Sequence, residues 1–271
     1  MRMNKRIASA LLLLAMCWAA ACACAQGITV TKKDMTLNRT LDKSVTNVLM
    51  IMQDGDWSDT IMIASVNGKT GRSVMTRMDS DMEIELTLPG GDVDRVPLGS
   101  VYALGDEKSR GLLVARELNE LLDLNISTYV VLEITRLPEI VEVVGVLNMQ
   151  YDREEAKAMR TWEGINELSG DKVLDYVRLK LDTDSPARSR GYDALMQLLY
   201  QGLNSGNLGN MMGLGKQLLG SMDTNLNVMA AVTMVSAVQG GSDRRELYLS
   251  GDDMPGEGEM AAAFYREVYG E

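Results

Sequence analysis

The sequence predicts an α/β fold with a mixed central β-sheet sandwiched by helices. Three observations point there. Short β-type runs alternate along the chain with amphipathic helical runs, the order that places helices against a sheet. The Asn67-Gly68-Lys69-Thr70-Gly71 turn joins two β-type runs directly, so some strand pairs must be antiparallel hairpins. A chain of 271 residues with 46% hydrophobic composition is long enough to bury one substantial core.

Taken in order, a polar lead-in over residues 26–46 comes before a body at 47–249 and a tail at 250–271. Val48 to Met52, Thr60 to Val66 and Ser73 to Arg77 read as short strands rich in β-branched and apolar residues. Glu83 to Leu88 alternates charged and apolar side chains before Pro89-Gly90-Gly91-Asp92, which fits a half-exposed strand ending in a turn. Asp106 to Asp123 gathers Leu112, Ala115, Leu118, Leu121 and Leu122 on one face, the mark of an amphipathic helix on a sheet. Thr128 to Ile134 is the next strand, Leu137 to Val143 a helix, Val146 to Met149 extended, and Gly170 to Arg178 helical. Tyr192 to Val238 is expected to be helical, with Leu195, Leu198, Leu199 and Leu203 on one segment and Met211, Leu214, Leu218 and Met222 on a later one. A strand over Glu246 to Leu249 precedes a short amphipathic end whose final residues are expected to be mobile.

Residues 1–25 carry Arg2, Lys5 and Arg6, then an uncharged run of 19 residues from Ile7, and close on Ala23-Cys24-Ala25, a small-x-small cleavage signal. This is an export segment, either a signal peptide or, since its length suffices to span a bilayer, a signal anchor. Both alternatives put the body outside the cytoplasm, secreted or held at the membrane. All three cysteines lie in this segment, so without it the chain has no thiol for a disulfide or thiolate metal site. Removing its three cations takes the net charge from −11 to −14, which makes nucleic acid an unfavourable partner. The absence of histidine excludes a His-dependent triad and His-ligated zinc, leaving carboxylates, Lys, Arg and Tyr for acid-base chemistry.

The ordered segments Asn47-Val48-Leu49-Met50-Ile51, Ser58-Asp59-Thr60-Ile61-Met62, Met78-Asp79-Ser80, Tyr102-Ala103, Gly164-Ile165-Asn166-Glu167-Leu168-Ser169-Gly170 and Tyr176-Val177-Arg178 resemble the LytR-CpsA-Psr family. The resemblance runs from about Asn47 to Met222 and implies that family's α-β-α fold. It also implies its activity: transfer of a glycopolymer from a polyprenyl pyrophosphate carrier at the membrane surface to a peptidoglycan acceptor, with magnesium as cofactor. Residue by residue, Asp59 and Asp79 match the carboxylates that would hold the metal and Arg178 the arginine of the Tyr-Val-Arg element, so these three are the implied catalytic set. Lys180, Arg188 and Arg190 fall where further cations contact phosphate. Two carboxylates completed by water and phosphate oxygens suit magnesium, and the planar guanidinium fork suits a pyrophosphate. On residue type alone, Asp59 also reads as a strand-end cap, Asp79 as a solvated loop carboxylate, and Arg188 and Arg190 as solvent-facing.

The chain departs from the pattern at several places. Trp57 and Met78 stand where the family has arginines, and Pro97-Leu98-Gly99 replaces its Lys-Leu-Asn. Arg77, one residue before Met78, is a candidate phosphate-binding substitute, although a one-residue offset in a strand turns its side chain to the other face. Losing a preorganised donor to developing charge typically costs about 3 kcal/mol in the transition state, enough to impair transfer while sparing the fold. For the carrier lipid, the flexible side chains of Met196, Met211, Met212, Met222, Met229 and Met234 are candidate pocket residues, with an ordinary Met-rich core as the plain alternative. Two functions follow: an extracytoplasmic phosphotransferase, or a non-catalytic scaffold that binds prenyl phosphate or glycopolymer.

Overall fold

The computed structural model describes residues 27–88, 91–184, 188–204, 222–227, 243–251 and 257–270. The expected export segment and Met211, Met212, Met229 and Met234 lie outside these residues. The strands are β1 (Val45–Asp54), β2 (Trp57–Asn67), β3 (Ser73–Met78), β4 (Glu83–Thr87), β5 (Val93–Pro97), β6 (Thr128–Glu133), β7 (Leu147–Tyr151), β8 (Gly164–Leu168), β9 (Asp223–Thr224) and β10 (Arg244–Leu249). The described α-helices, numbered here in order, are α1 (Val101–Leu104), α2 (Arg110–Leu122), α3 (Leu137–Val144), α4 (Arg153–Ala158), α5 (Lys172–Val177), α6 (Arg190–Asn204) and α7 (Glu257–Val268).

Six strands form the central sheet in the order β10-β3-β2-β1-β6-β9. The β1-β2-β3 meander is antiparallel, whereas β6 joins β1 and β10 joins β3 in parallel, so the sheet is mixed as expected. Alternation along its strands sorts the core into two layers. Leu49, Ile51, Ile61, Ile63, Val74 and Met78 pack on one face with α2 and α7, while Met52, Met62, Ala64 and Met75 pack on the other with α3, α5 and α6. A small β4-β5 hairpin and an antiparallel β7-β8 pair connected through α4 complete the body.

One expectation is corrected. The helical reading of Tyr192 to Val238 holds through Asn204 but fails at β9, where Asp223 and Thr224 extend the sheet. There the Thr224 hydroxyl donates to the Tyr129 carbonyl, the Tyr129 N–H donates to the Asn225 side chain, and the Asn225 amide donates to the Ser127 carbonyl. Short polar side chains that bond backbone in this way favour extended edges over helix. The lead-in contributes Ile28 and Val30 to the core, and the terminal segment is a helix whose Phe264 is fully buried.

Candidate functional site

A cleft of about 230 Å³ opens where the ends of β2 and β3 meet the α5-α6 connection and β10. Asp59, Arg77, Asp79, Lys180, Arg188 and Arg190 all line it. Carboxylates from neighbouring strand ends and cations from the later loop therefore share one mouth. Arg178 is not in its wall. Its guanidinium donates from Nε and Nη2 to the Asp54 carboxylate at the end of β1, at 3.0 and 2.8 Å.

Local structure explains how each group is aimed. Met52 pairs with Thr60 and Gln53 with Ser58, so Asp59 is the extra residue of a β-bulge, a device that re-aims a side chain. The bulge is fixed by the Ser58 hydroxyl donating to the Gln53 side chain at 2.6 Å and by the Gln53 amide donating to the Gly55 carbonyl. Asp79, just past β3, accepts from the Asp81 N–H at 3.1 Å and from the Ser250 hydroxyl. Gly191 lets the start of α6 lie on β2: a Cβ there would fall 2.6 Å from Thr60 Oγ1. The Thr60 and Ser189 hydroxyls are 3.0 Å apart at the same contact.

The cations are mostly compensated. Arg190, 4% exposed, donates to Glu155, to both Asp184 oxygens and to the Leu179 carbonyl. Arg188 donates to Glu155 at 2.5 Å and contacts Asp193. Lys180 reaches Asp59 at 3.2 Å from an exposed position. Glu155, fully buried, is the anchor that residue patterns alone missed: its other oxygen caps α4 through the Asp152 N–H while Asp152 accepts the Glu155 N–H, a reciprocal capping box. The Asp152-x-x-Glu155 spacing signals that cap in the sequence, but its meeting with arginines more than thirty residues later does not show there. Electrostatics follow the geometry. Burial pushes the Asp193 carboxyl up, partly opposed by Arg188, whereas the hydrogen bonds from Arg190 hold Asp184 below the usual range. For Arg188, burial acts to lower the pKa, but Glu155 and Asp193 outweigh it and raise it.

Arg77 lies differently. Met78 points into the opposite core layer with Leu98, and the one-residue offset turns Arg77 to the cleft face. Its guanidinium carbon sits 5.2 Å from the Tyr192 ring centroid and 4.6 Å from that of Tyr248. The other departures pack together: a Cβ on Gly99 would stand 2.7 Å from the Trp57 indole, so Trp57 closes over the Pro97-Leu98-Gly99 turn. Of the methionines expected to line a lipid pocket, Met196, on α6, is buried in the core layer beneath that helix and Met222 packs against this layer. Met52, Met62, Met75 and Met149 from the sheet and β7 belong to the same layer, so its Met-rich wall includes strands as well as helices.

Oxygen donors dominate the acidic side of the cleft, where Asp59 and Asp79 are joined by Ser80 and Asp81, a donor set that fits a hard divalent cation. Among the described residues no group of three or more His, Cys, Asp or Glu side chains is gathered as a metal cluster, so such an ion would need water and ligand oxygens to complete its shell. No helix among them is long and apolar enough to cross a membrane.

The model of the LytR_cpsA_psr family matches residues 22–268, and the chain belongs to that family. Solved structures with the same fold include B. subtilis TagT, 14% identical with a TM-score of 0.67, over 89% of this chain and 100% of that one. TagT bound to LIIa-WTA is similar at a TM-score of 0.68 and 14% identity, covering 89% and 99% of the two chains. TagT with bound octaprenyl pyrophosphate lipid matches at 0.62 and 16% identity over the same shares. No curated protein matches the chain.

Proposed function

We propose, with membership of the LytR-CpsA-Psr family as the premise, that this protein acts outside the cytoplasm on a polyprenyl-pyrophosphate-linked glycopolymer and transfers the glycan to a peptidoglycan acceptor. The observation that carries the reading is the single cleft in which Asp59 and Asp79 face Arg77, Lys180, Arg188 and Arg190. The TagT structures with octaprenyl pyrophosphate and with LIIa-WTA support the ligand class.

In this reading the acceptor hydroxyl oxygen bonds to the glycan-side phosphorus, the bridging P–O bond breaks, polyprenyl phosphate departs with the bridging oxygen, and the hydroxyl proton is taken up by that departing phosphate. Arg77 and Lys180 orient the diphosphate; Glu155 holds Arg188 and Arg190 in place behind it. Asp59 and Asp79 are the residues that would hold magnesium, which would supply charge neutralisation to the diphosphate. The lipid would lie along the methionine layer that includes Met196 and Met222.

One observation favours the scaffold alternative: Arg188, Arg190 and Lys180 already have carboxylate partners, and Trp57 and Met78 supply no cation. Incubation of the protein with a polyprenyl-pyrophosphate glycan, peptidoglycan and magnesium separates the two. Transfer that disappears in Asp79→Ala supports the enzyme; carrier binding without turnover at high protein concentration, unchanged by Asp59→Ala, supports the scaffold. Absence of any polyprenyl phosphate or pyrophosphate from lipid co-purified with the protein, together with no binding of added carrier, would remove both.

A further inference from the structure

The cations of the cleft differ in what already holds them. Arg190 is buried with its donors committed to Glu155, Asp184 and the Leu179 carbonyl, and Arg188 is pinned between Glu155 and Asp193. Lys180 is exposed but paired with Asp59. An anion that recruited any of these would have to compete with a carboxylate already in contact. Arg77 is the exception: among the described residues it forms no ion pair, and aromatic faces hold it instead.

That arrangement has a directional consequence. A guanidinium attracted to ring faces keeps its charge, and its N–H donors, which lie in its own plane, are taken by no carboxylate among the described residues. Tyr192 comes from the start of α6 and Tyr248 from β10, so two elements far apart in sequence converge on one side chain of β3. Tyr248 and Arg77 are direct partners in the parallel β3-β10 register, which fixes one ring beside the guanidinium through the sheet itself. Burial pushes the Tyr192 hydroxyl above the usual phenol range, so this ring stays uncharged near neutrality. Tyr248 and Arg77 both line the cleft.

We propose that Tyr192 and Tyr248 are positioning residues that hold Arg77 between them as the first diphosphate contact of the cleft, ahead of the already paired Arg188 and Arg190. The inference rests on the reading of the cleft as a diphosphate site. It assigns the capture step to the residue beside Met78 and its specificity to a planar donor held by aromatic rings.

Calorimetry of the full chain with inorganic pyrophosphate, with and without magnesium, tests it. Arg77→Gln should raise Kd about a hundredfold and Arg77→Lys about tenfold, since an ammonium keeps the charge but loses the planar fork. Tyr248→Leu should raise Kd about tenfold, and Tyr248→Phe, which restores a ring, should recover most of that loss. Tyr192→Leu gives the same readout from the helix should Tyr248→Leu fail to fold. A purely structural role for the trio predicts lowered Tm with Kd unchanged, and that outcome overturns the inference. If the unaltered protein binds pyrophosphate but Arg77→Gln binds equally well, this inference falls and the diphosphate reading stands. If the unaltered protein binds neither pyrophosphate nor the polyprenyl carrier, both fall.

Discussion

Single side chains carry more of this site than their types suggest. Glu155 is fully buried and takes hydrogen bonds from two guanidiniums through one oxygen while capping α4 with the other. Removing one member of such a group leaves buried charge uncompensated, so Glu155→Ala should destabilise the fold by about 3 kcal/mol or more, read as a lower denaturant midpoint. An unchanged midpoint would show that Asp184 and Asp193 hold the arginines by themselves. Gly99 is a second sensitive point, because a methyl there meets the Trp57 indole. Gly99→Ala should cost about 1 to 3 kcal/mol in the native background and much less in Trp57→Ala, a coupling that a double-mutant cycle measures. Both residues can be named from the sequence, but neither contact can. The Trp57, Met78 and Gly99 departures show separately as lost polar groups; the structure shows that Trp57 and Gly99 fit one another and that Met78 joins Leu98 in the core.

Legibility varies with how local an element's causes are. β1, β2 and β3 were readable because runs such as Ile61-Met62-Ile63 fill both faces of a central sheet and turn residues separate them. α2 was readable because its apolar stripe is contained within its own length. β8 was not: Gly164-Ile165-Asn166-Glu167-Leu168 exposes Ile165 at 67% and is held by register with β7 rather than by its own composition. β9 escaped for the same reason in stronger form, since its anchoring bonds run to Ser127 and Tyr129, nearly a hundred residues earlier. The terminal helix α7 was expected as a short amphipathic end with mobile final residues, and its burial of Met260, Ala263, Phe264 and Val268 is what the amphipathic pattern serves. Phe264→Ala should therefore cost about 3 to 5 kcal/mol in chemical denaturation. A loss below about 1 kcal/mol would mean that the helix contributes little to the body.

Across the whole molecule the acid limb of stability should be set by a few paired carboxylates. Asp42, held at about 2 by the Ser44 backbone and by Lys69, and Asp184, held below its usual range by Arg190, both have folded pKa values under the ordinary 3.8. Their contribution is complete above that ordinary value and is lost as pH falls through the folded one, so Asp42→Asn should flatten the stability profile between about pH 4 and pH 2 and Asp184→Asn should flatten it below about pH 4. Glu117, Glu133 and Asp193, pushed up mainly by burial, act in the opposite sense and add stability as pH falls through their raised values. An acid limb unchanged in both Asn variants would contradict this assignment. The site was legible at this scale as a gathering of opposite charges, because charge and order survive in a sequence; the partners already holding those charges were not, because they come from loops and helices distant along the chain. One such distance governs timing. Tyr248 stands on β10, which is made after every other described strand yet slots beside β3. A chain in which β10 has not yet docked has its acidic residues and most of its arginines but lacks a wall of the cleft, so the cleft is completed only when β10 pairs with β3.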